Sequence, residues 1–151
     1  MLRLDDFLPY RLSLASNAVS AAIARVYDAQ FGLKIPEWRV VAVLAEHAAL
    51  TQAELCDRTA MDKMTISRAV TALSARRLAT RDTDGTDRRA RRVRLTAAGT
   101  ALYTRVAPEA LRMESKLLAS LSPADVAHLT ATLARLQQAA SALDGFSNNG
   151  Y

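Results

Sequence analysis

Asp87-Arg88-Arg89-Ala90-Arg91-Arg92-Val93-Arg94-Leu95-Thr96-Ala97-Ala98-Gly99 sets five arginines within seven residues, after a turn, Asp82-Thr83-Asp84-Gly85-Thr86. Like charge at that density repels itself in a free fold and is stabilised against a polyanion. Apolar Val93 and Leu95 alternate with Arg92 and Arg94, the period-two pattern of a half-exposed strand. The stretch predicts a β-hairpin over about 79–95 with a basic tip, closed by Thr96 as the cap of a new helix and Gly99 in its first turn.

Upstream, Thr51-Gln52-Ala53-Glu54 is a capping box, a hydroxyl at the cap and a carboxylate three residues on. It predicts a short helix over 52–59. Ala60-Met61 then connects to Asp62, the cap of a helix over 63–77 with Ile66, Ala69, Val70 and Leu73 on one face. Two short helices joined by about three residues form a helix-turn-helix, and the basic hairpin after them is its wing. A major groove accepts one helix, whose N-terminal residues meet base edges. Lys63, Met64, Thr65, Ser67, Arg68 and Thr71 are the candidates for that contact, with Gln52 beside them. In the wing, Arg88 and Arg89 suit a narrow minor groove, Arg91 adds a third cation, and Asp87 serves to orient a guanidinium.

The flanks read as helices. Leu4, Leu8, Leu12, Ala15, Val19, Ala22 and Val26 recur at three- and four-residue steps, predicting a long helix over 4–30 that becomes regular near Pro9 and ends at Gly32. Pro36 and Glu37 open a second helix ending near His47, with Val40, Val41, Val43 and Leu44 on its apolar face. The helix begun at Thr96 runs through Leu102, Val106, Ala110, Met113 and Leu117, and Pro108 predicts a kink or break within it. Ser122-Pro123-Ala124-Asp125 starts a last helix carrying Val126, Leu129, Leu133, Leu136, Ala140 and Leu143, a heptad seam.

Composition narrows the class. The 151 residues predict one domain. No apolar run is long enough for a membrane span, and Met1-Leu2-Arg3-Leu4-Asp5-Asp6 is no secretory signal, so a cytoplasmic protein without a membrane partner is expected. The net charge of +5 hides an asymmetry: residues 58–105 hold 12 Lys and Arg against 4 Asp and Glu, a net +8, and the rest is −3. A basic middle between mildly acidic ends is the footprint of a nucleic-acid reader. Cys56, the one cysteine, excludes an intrachain disulfide and reads as a buried small hydrophobe. Enzyme readings fare badly: there is no phosphate-binding glycine loop or nucleophile elbow, and His47 and His128 have no ligand-spaced neighbours for a metal. No cofactor is implied.

Thr51–Gly99 resembles the MarR family of bacterial transcription regulators. The resemblance rests on Thr51-Gln52-Ala53-Glu54-Leu55, on Met61-Asp62-Lys63-Met64-Thr65-Ile66-Ser67-Arg68, and on Asp87-x-Arg89-x-x-x-Val93-x-Leu95-Thr96-x-x-Gly99. Val93 stands where the family often has Leu, and Arg77 where a glycine follows the recognition helix, a change that predicts a shifted turn into the wing. The resemblance implies one MarR-like domain over 1–151, with dimerisation helices at 1–34 and 100–146 and the winged helix-turn-helix at 35–99. It implies a homodimer in which the terminal helices of two chains interlock. The exposed apolar stripes expected at 4–26 and 126–143 call for such a cover.

The resemblance further implies release from DNA by a small aromatic or carboxylate effector, with Tyr10, Arg11, Ser16, Trp38 and Arg39 as lining candidates. Trp38 would stack on a ring and Arg39 would pair with a carboxylate. The more ordinary reading of that pair is structural, Trp38 as core and Arg39 in an ion pair. Members that sense oxidants carry a cysteine in the first helix, and this chain has none there.

The expectation is a mainly α protein, with a winged helix-turn-helix lobe bearing a two-stranded wing and a helical dimerisation region. It would bind double-stranded DNA at a pseudo-palindrome as a ligand-responsive homodimeric repressor. The alternatives are an activator or anti-repressor of the same family, or an architectural protein without sequence preference.

Overall fold

A computed structural model describes residues 2–82 and 91–147, with side chains to 143. The chain divides into two compact units, Met1–Ala110 and Leu111–Tyr151.

In the first unit a 3-10 turn, Leu4–Asp6, precedes α1, Leu8–Phe31, whose Pro9 lies in the first turn. Gly32 ends α1 in the left-handed conformation, φ 59°. Residues 8–19 of α1 are exposed along their whole length, and only Tyr27 of the helix is buried. Helix α2, Ile35–Glu46, buries Val40, Val41 and Leu44, while Val43 is half-buried.

The expected capping box is formed: the Thr51 backbone N–H donates to Glu54 Oε2 (2.7 Å), and the Glu54 N–H donates to Thr51 Oγ1 (3.2 Å). It opens α3, Gln52–Thr59. Ala60 then turns in the left-handed region, φ 52°. Helix α4, Lys63–Ala75, starts at the Asp62 cap and buries Ile66, Ala69, Val70 and Leu73 against the core. It stops two residues short of the expected end. Arg76 caps it, Arg77 N–H donates to Ser74 O (2.9 Å) and Leu78 N–H to Leu73 O (2.9 Å). This closure needs a left-handed residue at position 77, and Arg77 adopts it, φ 56°. The turn therefore takes the left-handed conformation that glycine adopts without strain.

The sheet has three antiparallel strands in the order β1-β3-β2: β1 Leu50–Thr51, β2 Ala79–Arg81 and β3 Arg92–Leu95. Ala79 faces Leu95 and Arg81 faces Val93 in the expected hairpin arms, and Asp82 N–H donates to Arg92 O (2.8 Å). The unexpected strand is β1, where Leu50 faces Val93 and Thr51 faces Arg92. Val93 is buried between them.

Helix α5, Ala97–Leu117, begins where Thr96 Oγ1 accepts from Gly99 N–H (3.1 Å). It runs unbroken through Pro108, so the break that proline predicts does not occur. A missing N–H removes one bond of the ladder, and the neighbouring turns carry the helix through. Cys56 is half-buried, not the fully buried hydrophobe expected.

The second unit holds the end of α5 and α6, Pro123–Ser147. Asp125 N–H donates to Ser122 Oγ (3.1 Å), completing the cap read from the sequence. Along the seam Leu129 and Leu133 are both 42% exposed and Leu143 is 70% exposed. None of the described helices is long and apolar enough to cross a membrane.

Candidate nucleic-acid interface

Helix α4 presents two unlike faces. Ile66 and Leu73 are fully buried, whereas Lys63, Arg68 and Thr71 are exposed and Ser67 is half-buried. Met64 is 62% exposed, a large apolar side chain held in solvent at the start of the helix. Such exposure costs hydrophobic free energy and suits contact with a thymine methyl.

The cap decides what Thr65 can do. Asp62 Oδ1 accepts from Thr65 N–H (2.8 Å), and Oδ2 accepts from Thr65 Oγ1 (2.7 Å). These two bonds, the backbone one first, hold the Asp62 carboxyl below its ordinary value. With its hydrogen committed, the Thr65 hydroxyl can only accept, so its natural partner is a base amino group and not a phosphate.

Gln52 is also engaged. Its Nε2 donates to Lys63 O (3.0 Å), tying the first turn of α3 to the first turn of α4. Its Oε1 and second amide hydrogen remain for other partners. Sequence reading placed Gln52 among the contacts but missed this tie, because the two residues belong to different helices.

Arg88 and Arg89 lie outside the described residues, as does Asp87. Arg91, at the base of the wing, is exposed. Arg92 and Arg94 differ from it. Arg92 donates to Ala49 O (3.0 Å) and lies 3.6 Å from Glu54 Oε2, while Arg94 pairs with Asp82. Both are solvent-accessible pairs of small energetic weight. The Glu54 carboxyl is held below its ordinary value first by the Thr51 backbone N–H, then by the Thr51 hydroxyl, with Arg92 a lesser cause.

The five effector candidates fall into two groups. Tyr10, Arg11 and Ser16 are exposed on α1. Trp38 is half-buried, stacked on Tyr103 (centroids 5.9 Å, 13° between planes) and tilted against Tyr27 (5.5 Å). Burial, then the Glu109 carboxylate, pushes the Tyr27 phenol up. Arg39 is exposed and makes no ion pair among the described residues. No described hydrogen bond, ion pair or ring contact joins the two groups. A cleft of about 400 Å³ in the first unit is lined instead by Gln30, Phe31, Arg76, Leu78, Leu102 and Arg105 with two alanines.

A family model for the MarR family matches residues 31–90. No curated protein matches the chain. Among solved structures, a MarR family transcriptional regulator from Silicibacter pomeroyi is 33% identical, with 92% of this chain and 98% of that one covered and a TM-score of 0.77. A MarR/EmrR family regulator from Acinetobacter shares the fold at a TM-score of 0.86 and 23% identity, covering 93% of this chain and 99% of that one. A Bordetella bronchiseptica regulator, whose DNA binding is regulated by 6-hydroxynicotinic acid, superimposes at 0.81 with 21% identity, covering 91% of this chain and 98% of that one. With an amphipathic α4, basic hairpin arms and 33% identity over 92% of the chain, this protein belongs to the MarR family of transcription regulators.

Proposed function

We propose that this regulator is a homodimer that recognises a pseudo-palindromic operator in double-stranded DNA and acts as a repressor released by a small aromatic or carboxylate effector. The observation that carries the DNA reading is the solvent face of α4, where Lys63, Met64, Arg68 and Thr71 stand exposed while the opposite face fills the core. Two such helices would enter successive major grooves about one turn apart, ~34 Å. The wings, with Arg88, Arg89 and Arg91, would grip the flanking minor grooves. The dimer reading is supported by the exposed leucines of α1 and α6, which would be covered by a second chain. The effector reading is supported by the family and by an exposed Arg39 beside Trp38.

Selection of bound duplexes from a random pool tests the DNA reading. A palindromic winner bound ~10³-fold or more above random DNA supports a site-specific regulator. Uniform recovery would replace it with an architectural protein. Arg68→Ala should then relax preference at one base pair, costing about 1–3 kcal/mol there. An unchanged preference would remove Arg68 from base readout.

A further inference from the structure

Beside the exposed face of α4 lies a cleft of about 290 Å³ lined by Lys34, Pro36, Glu37, Thr65, Arg68, Ala69 and Ala72. It joins the first turn of α2 to the flank of the recognition helix. Its one acid is already committed: Glu37 is 8% exposed, accepts from Lys34 N–H (3.1 Å) and lies 3.8 Å from Arg76. Lys34 and Arg68 therefore leave the cleft positive. Lys34 is exposed, and its ammonium has no ion pair among the described residues. The residue caps α2 through its backbone N–H, so its side chain does no capping.

We infer that this cleft binds a backbone phosphate of the same DNA that α4 reads, with Lys34 as the phosphate ligand. The inference rests on the reading that α4 enters the major groove. A helix with its side chains is ~10–12 Å across and the groove is ~12 Å wide, so the sugar-phosphate strands run along the helix flanks. The flank bearing Thr65, Arg68, Ala69 and Ala72 is the one that faces Lys34 across the cleft. Half-buried Pro36 and Ala72 offer a small apolar surface to deoxyribose, and the ammonium supplies a point charge for phosphate. Thr65 cannot donate there, since Asp62 holds its hydroxyl hydrogen. Lys34 thus adds affinity and register without sequence preference, extending the contact surface to α2.

Anisotropy titrations of the full chain on the selected duplex and a scrambled one, over a range of salt, test this. Lys34→Gln keeps the backbone cap, so circular dichroism and the urea midpoint should match wild type. It should weaken both duplexes by the same factor and lower the slope of log K against log salt by ~0.9 per bound protomer. Lys34→Arg should restore the slope. A scan of single methylphosphonates through a half-site should find one position whose neutralisation weakens wild type but not Lys34→Gln. An unchanged slope, a loss confined to one duplex, no restoration by arginine, or no such position overturns the phosphate site while α4 readout stands. Wild type that binds no duplex, or a Lys63→Ala, Met64→Ala, Arg68→Ala protein with unaltered base preference, overturns the underlying reading of α4, and the phosphate site falls with it.

Discussion

A Cβ added at Gly99 would run into the Leu78 carbonyl, where the strand entering the wing passes the first turn of α5. Thr96 N–H donates to that same carbonyl (3.0 Å), so the strand cannot retreat without losing the bond. In an ordinary helix interior Gly→Ala stabilises by ~1 kcal/mol. Here the clash should win, and Gly99→Ala should destabilise by about 1–3 kcal/mol or more, read as a lower urea midpoint. A raised midpoint would mean that α5 and β2 separate freely. Ala60 is the converse case. Its φ of 52° costs an L-residue ~1–2 kcal/mol, partly offset by the greater entropy a glycine loses on folding. Ala60→Gly should therefore raise stability by about 0.5–1 kcal/mol, and no gain would mean that the turn between α3 and α4 relaxes in solution. Arg77 shares this geometry, held by Thr96 Oγ1 donating to its carbonyl (2.7 Å). The family's glycine preference at that position is thus explained by backbone conformation, and the arginine is tolerated because its side chain is free to lie in solvent.

Three helices begin at a carboxylate whose titration the cap displaces. Glu54 at α3, Asp62 at α4 and Asp125 at α6 all sit below their ordinary values of 4.5 for Glu and 3.8 for Asp, and for each the first causes are hydrogen bonds from Thr51, Thr65 and Ser122 respectively. A carboxyl lowered in the folded state stabilises the fold fully above its unfolded value, and that contribution is lost as pH falls through the folded one. Stability should hold down to about pH 5 and then fall as pH drops through and below 4.5 and 3.8. A protein carrying Glu54→Gln, Asp62→Asn and Asp125→Asn should show a shallower acid limb in urea titrations across that window. Equal limbs would mean that these caps do not outlast the unfolded chain's own interactions. The caps matter for function because Asp62 and Gln52 both act on the first turn of the recognition helix, one from its end and the other from α3.

At the scale of the whole molecule the buried side chains gather in the first unit, from Tyr27 to Val106, and no described residue of α6 is buried. Leu8, Leu12, Leu14 and Val19 on α1 and Leu129, Leu133 and Leu143 on α6 stand in solvent in a single chain. If a second chain covers them, Leu133→Asp should shift the protein to monomers in sedimentation and remove the concentration dependence of its Tm. A wild-type monomer at micromolar concentration would refute the dimer.

How far sequence reading reached follows from the range of the interactions. The starts of α2, α3, α4 and α6 and the apolar face of α4 were legible, since caps are bonds across three residues and amphipathic faces repeat every turn. The arms of the hairpin were legible from alternation. Strand β1 was not: two residues carry no period, and Leu50–Thr51 becomes a strand only because Val93 and Arg92 come to lie beside it. Likewise Gln52 reaches Lys63 across 11 residues, Arg92 reaches Ala49 across 43, and Arg76 reaches Gly32 across 44. Thus the sequence by itself determined the helices, the hairpin arms and the charge of the lobe, which are local properties of neighbouring residues. Only the tertiary structure decided which cations stay free for DNA and which are held by the protein, because that depends on carbonyls and carboxylates brought close by the fold.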